Sequence, residues 1–174
     1  MILVSGGSEE INRAASECWE VDVLMHPEKG SQRDLPDQKN SGLDHVTARF
    51  MAEKGIALGI DFSQLLNSYG MGRSLIMGRM RQNIMLARKY GTPIILASGA
   101  SDKYGLRSPM DLYSVGISLG MDPGLAKKAL SDYPAMLVKK ARDRKDPRVI
   151  TAGLEVVSGG PEKNPGGKKV SGWY

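Results

Sequence analysis

Four short β-type runs punctuate the chain: "MILV" at 1–4, "VDVLM" at 21–25, "IALGID" at 56–61 and "TPIILA" at 92–97. Each is separated from the next by a stretch with helical spacing. That alternation points to parallel βα units, because two parallel strands need a crossover long enough to hold a helix. An α/β fold is therefore expected, and a helical bundle is not. "TPIILA" is apolar without interruption, which suits a strand covered on both faces.

The helices announce themselves by their starts. Ser8 reads as an N-cap with Glu9 and Glu10 in the first turn, opening a helix to Cys18. A polar loop follows from Pro27 to Asn40. The spacing predicts a second helix starting at Ser41, where Ser41-x-x-Asp44 resembles a capping box, with Leu43, Val46, Phe50 and Met51 on one face and an end near Gly55. A long helix is expected from about Ser74 to Tyr90, with Ile76, Met80, Ile84 and Ala87 buried and Arg79, Arg81, Arg88 and Lys89 lying largely away from that stripe. Ser108-Pro109-x-Asp111 and Asp122-Pro123 mark two further helix starts. Another helix runs from about Pro134 to Arg144. The expected division is a domain over 1–145 and a basic, Gly/Pro-rich tail over 146–174, disordered on its own and able to order on a partner.

With 174 residues and 41% hydrophobic content, the chain can build one domain with a real core. It has no apolar run of about 18 residues and no signal-peptide pattern, so a cytoplasmic location is expected, with no membrane partner. Cys18 is the only cysteine, which excludes intramolecular disulfides and cysteine-based zinc sites. Charge is unevenly spread. Residues 1–72 carry 6 Lys+Arg against 11 Asp+Glu, a net of −5, and residues 73–174 carry 18 against 8, a net of +10. The second part is the natural face for a polyanion.

Five residues are candidate metal ligands: His26, Glu28, Asp44, His45 and Asp61. Histidines and carboxylates at strand ends are how barrel hydrolases gather divalent metals. Two histidines are few for a multinuclear site, however, and Asp44 also reads as a capping residue, His45 as a first-turn residue and His26-Pro27 as a strand-end turn. "SGGS" at 5–8, "SGAS" at 98–101 and "GMGRS" at 70–74 do not complete a nucleotide-binding fingerprint. Ser98 lies outside a nucleophile elbow, and Cys18 sits between Glu17 and Glu20, which disfavour a thiolate. Arginines and lysines remain, and clusters of them can neutralise an RNA backbone.

Taken in order, "GGSEEINRAA" (6–15), "VDVLMHPE" (21–28), "SGLDHVTARFMAEKGIALGID" (41–61), "RMRQNIMLARKYGTPIILASGA" (79–100), "YGLRSPMDL" (104–112) and "LGMDPGLAKKALSDYP" (119–134) resemble the protein component 3 family of archaeal and eukaryotic ribonuclease P. The resemblance implies a TIM-barrel-like fold related to the polymerase and histidinol phosphatase (PHP) hydrolases, without their metal cluster. It implies a protein subunit of the ribonucleoprotein that removes the 5′ leader from precursor tRNA. The catalytic centre would belong to the RNA, with Mg2+ serving the RNA-catalysed reaction and no cofactor held by the protein. Implied partners are the ribonuclease P RNA, precursor tRNA indirectly, and other protein subunits, one forming a heterodimeric pair with this one. Members usually begin with additional βα units, so an open or incomplete barrel, a misassigned start or a split gene is expected. Arg49, Arg73, Arg79, Arg81, Arg88, Arg107 and Lys139 lie in or beside the shared motifs and are the expected RNA contacts, Arg107 foremost. The competing readings are a metal-dependent PHP-type phosphoesterase and a basic RNA-binding module outside ribonuclease P.

Overall fold

The computed structural model describes residues 1–30, 34, 39–151 and 154–155. Four strands, β1 (Leu3–Ser5), β2 (Val23–Met25), β3 (Ala57–Asp61) and β4 (Ile94–Ala97), form one parallel sheet in the order β1-β2-β3-β4. Leu24 pairs with Val4 on one side and Leu58 on the other, and Leu58 pairs with Ile94. The expected βα alternation is thus present, and every crossover carries a helix.

The helices are α1 (Glu9–Glu17), α2 (His45–Lys54), α3 (Phe62–Leu66), α4 (Gly70–Tyr90), α5 (Pro109–Ser118), α6 (Pro123–Leu130) and α7 (Asp132–Asp143). No helix among the described residues is long and apolar enough to cross a membrane. Caps read from sequence are in place for three of them. Ser8 accepts from the Ile11 amide, Ser108 forms a reciprocal box with Asp111, and Asp122 accepts from the Leu125 amide. Proline at the first turn of α5 and α6 needs no amide there.

The start of α2 differs from expectation. Asp44, not Ser41, is the N-cap: its carboxylate accepts from the Thr47 amide at 2.7 Å, and the Thr47 hydroxyl accepts from the Asp44 amide at 3.0 Å. Ser41 lies buried before the helix, and Leu43 joins the core from that loop. The helix therefore begins one turn later and turns Thr47, Ala48 and Met51 inward, leaving Val46 38% exposed. The start of α4 also moves, to Gly70, with Tyr69 as an extended N-cap. Met80, Ile84 and Ala87 are buried as the spacing predicts, and Ile76 is half-buried.

All five residues of β3 are buried; Leu58 and Ile60 join Leu24, Met51, Ile56, Met80, Ile84 and Ile94 in the main core, and Ala57 packs with Val23 and Leu137 in a second cluster. Met1–Ala141 form one compact unit, and the described residues from Arg142 onward belong to a second. In the second, β5 (Val149–Thr151) and β6 (Leu154–Glu155) pair antiparallel, inside the segment expected as a tail. Arg148 forms an ion pair with Asp146 at 2.8 Å. Hydrogen bonds from Arg148 hold that carboxyl at about 2. The tail beyond Glu155 lies outside the described residues.

Candidate nucleic-acid interface

The carboxyl ends of β2 and β3 bring two of the five candidate metal ligands together. His26 follows β2, Asp61 ends β3, and His26 Nε2 lies 2.7 Å from Asp61 Oδ2. Asp61 also accepts from the Ser63 amide and hydroxyl at 2.7 and 2.8 Å, capping α3. Burial pushes the Asp61 carboxyl up, but the hydrogen bonds from His26 and Ser63 outweigh it and hold the group below its usual range. His26 has φ 54°, a left-handed conformation uncommon outside glycine, and its carbonyl accepts from the Lys29 amide at 3.1 Å, closing a turn.

The other three candidates are engaged elsewhere. Glu28 is buried, with Asn83 Nδ2 donating to its carboxylate at 3.4 Å, and burial pushes its pKa up. Asp44 caps α2, and His45 is the exposed first residue of that helix. Among the described residues no three His, Cys, Asp or Glu side chains come together as a metal-ion site. The donor set does not fit the cluster of a PHP-type hydrolase. His26 and Asp61 instead brace adjoining strand ends.

Cations converge on α4 between residues 73 and 81. Arg73 and Arg81 lie two turns apart, and together with Lys39 from the loop before α2 they line an open groove of about 320 Å³ floored by Ser74 and Gly78. No carboxylate among the described residues lines it. The Lys39 ammonium group lies over Gly78, where a Cβ would oblige the lysine side chain to shift. Arg73 is positioned by its Nε, which donates to the Ser68 carbonyl at 2.7 Å, and its guanidinium lies 5.4 Å from the centre of the Tyr69 ring. Arg81 donates through Nη2 to the Ser118 carbonyl at 2.8 Å. Each bond uses one of the five N–H groups a guanidinium carries. Planar forks held on a rigid helix, with an ammonium opposite, suit phosphate oxygens.

The remaining expected contacts do not line this groove. Arg79 corrects the expectation of an exposed flank: it is 7% exposed, pairs with Asp34 at 2.9 Å and donates to the Glu28 carbonyl at 3.4 Å. It stitches the loop after β2 to α4, and it reads as a structural cation. Arg49 is exposed and pairs with Glu53 one turn on. Arg88 is exposed in the last turn of α4, and Lys139 is exposed on α7. Arg107 donates through Nη1 to the Tyr104 and Leu106 carbonyls, both at 3.0 Å, and so shapes its own loop. Lys39 escaped the sequence reading because it sits in a polar loop without periodicity, and only the packing of that loop on α4 reveals it.

Comparison with known proteins agrees on one family. Residues 1–146 match the family described as RNase P subunit p30. Ribonuclease P protein component 3 of Methanosarcina mazei is 39% identical over 159 residues, covering 91% of this chain and 62% of its own length. The corresponding protein of Methanococcus maripaludis is 36% identical over 157 residues, 90% of this chain and 64% of its own. The chain thus spans a little under two thirds of the length of these curated relatives. Among solved structures, a chain of the cryo-EM structure of archaeal Ribonuclease P with mature tRNA superposes with a TM-score of 0.78 at 33% identity, over 93% of this chain and 66% of that one. Sequence and fold agree over nearly the whole described chain, and the chain belongs to the RNase P subunit p30 family.

Proposed function

We propose that this chain is a protein subunit of ribonuclease P, supporting the catalytic RNA in removing the 5′ leader from precursor tRNA, and that the Lys39–Arg73–Arg81 groove is where it meets RNA phosphates. The observation that carries this reading is the groove itself: three cations with no carboxylate among its described lining residues, in a member of this family. Contacts of this kind fix register and orientation on a backbone and do not read sequence. They suit a protein that shapes a folded RNA.

Catalysis is assigned to the RNA, with Mg2+ held there. The engagement of Asp44 and Asp61 in caps, and of His26 with Asp61, supports that assignment. Partners on this reading are the ribonuclease P RNA, precursor tRNA through that RNA, and further protein subunits, one as a heterodimeric pair. The sequential, all-parallel order of β1 to β4 supports reading the sheet as an arc of a TIM-barrel-like fold, open or incomplete within this chain. A cytoplasmic setting belongs to the same proposal, supported by Cys18 as the only cysteine, and it is free.

Reconstitution tests it. Precursor tRNA cleavage by the RNA and the other protein subunits should rise when this chain is added at limiting Mg2+, and the Arg73→Ala/Arg81→Ala double variant should forfeit most of that gain. Equal cleavage with and without the chain contradicts the proposal. Cleavage by the chain alone, abolished by a chelator and by His26→Ala, contradicts it too and points to a metal-dependent phosphoesterase.

A further inference from the structure

We infer that Tyr69 is a stacking platform for an unpaired RNA base at the mouth of the α4 groove; this rests on reading that groove as a phosphate site. Tyr69 is 79% exposed, and Met71 beside it is 89% exposed. The backbone that carries the ring is nevertheless anchored. The Tyr69 carbonyl accepts from the Arg73 amide at 3.3 Å, the Ser68 carbonyl accepts from Arg73 Nε at 2.7 Å, and the Ser68 hydroxyl donates to the Leu65 carbonyl at 3.2 Å. The turn between α3 and α4 therefore presents Tyr69 on an anchored base.

Arg73 joins the ring to the groove. Its guanidinium lies 5.4 Å from the ring centre and also lines the basic groove. A phosphate held there is one side chain away from the aromatic face, as phosphate and base are one sugar apart in a nucleotide. The glycines beside it point the same way. Gly70 has φ 52° and needs to be glycine for its backbone. Gly72 does not, and a Cβ on it would meet no protein atom within 4 Å. Neither backbone conformation nor packing calls for glycine at 72, where alanine would favour the helix, and the bare backbone leaves room for a flat group to approach. Cations tracking phosphates beside an aromatic on which a base stacks is the way proteins hold single strands. A nucleic acid is favoured over a protein segment here because the groove is lined by three cations and, among the described residues, no acid.

The chain is titrated with an unpaired oligoadenylate and with a blunt RNA duplex of equal charge, followed by fluorescence anisotropy. Tyr69→Ala should weaken oligoadenylate binding on the order of tenfold and leave the duplex unchanged, with Tyr69→Phe retaining the affinity. The salt dependence should not change in either variant, since no charge is removed. Lys39→Ala and Arg81→Ala, which leave the ring intact, should weaken both probes and flatten the salt dependence. The inference is overturned if wild type and Tyr69→Ala bind the oligoadenylate alike, whether tightly or not at all. If Lys39→Ala and Arg81→Ala still weaken both probes in that case, the phosphate groove survives without the stack. If they change nothing, the groove reading falls with it. Loss of a protein subunit from the complex in Tyr69→Ala, with RNA binding intact, would assign the ring to a protein partner and overturn the inference as well.

Discussion

Glu28 and Asp61, near neighbouring strand ends, answer burial in opposite ways. Asp61 gathers hydrogen bonds from His26 and Ser63 that outweigh its desolvation, so its charged form is favoured by folding. That contribution is present above the ordinary aspartate pKa and is lost as pH falls through the depressed one. At Glu28 desolvation dominates and the folded pKa is raised. A raised carboxyl pKa favours folding at acidic pH, and that advantage is lost as pH rises through the folded value, so ionised Glu28 opposes folding at neutral pH. Glu28→Gln, which keeps the shape, should raise Tm at neutral pH, and the gain should shrink as pH falls into the carboxylate range. Thermal unfolding at the two pH values checks it; a loss of stability at neutral pH would show that the charge is needed. His26 and Asp61 were legible in the sequence as polar residues at strand ends, but not as partners, because 35 residues separate them and only the β2–β3 register brings them together. Asn12 was not legible at all. It is 1% exposed, donates to the Pro27 and Gly42 carbonyls and accepts from the Gly7 amide, yet in sequence it is one more polar residue of an amphipathic helix.

The elements that could be read were those with strong local signals. Apolar runs bounded by turn residues gave all four strands of the sheet, and Ser8, Ser108 and Asp122 marked helix starts to the residue. α2 shows where local signals compete. Ser41-x-x-Asp44 and Asp44-x-x-Thr47 both have the form of a cap, and the burial of Leu43 as a loop residue decides for the second. Asp44→Ala should therefore cost about 1 kcal/mol. The midpoint of urea unfolding reads this directly, and an unchanged midpoint would mean the helix does not depend on that cap. Arg79 failed for a related reason. It lies at the edge of the α4 stripe, and what covers it is the segment of Glu28 and Asp34, a path without periodicity for a sequence to display.

At the scale of the whole molecule, the asymmetric charge in the sequence narrows to a groove. Of the seven expected RNA contacts, Arg73 and Arg81 share it, Arg79 is committed to the fold, and Arg49 sits on another helix beside Glu53. Lys39, from the acidic part of the chain, completes the set. Composition told which half of the chain carries the excess of cations, and packing told which of them act together. The decisive measurement is the salt dependence of affinity for the ribonuclease P RNA, compared between wild type and the Lys39→Ala/Arg73→Ala/Arg81→Ala variant. Each lost phosphate contact lowers the slope of log affinity against log salt by roughly 0.7 to 0.9, so the triple variant should bind more weakly with a slope shallower by about 2, and Arg49→Ala should match wild type. An unchanged slope and affinity in the triple variant would contradict the assignment of this groove to RNA.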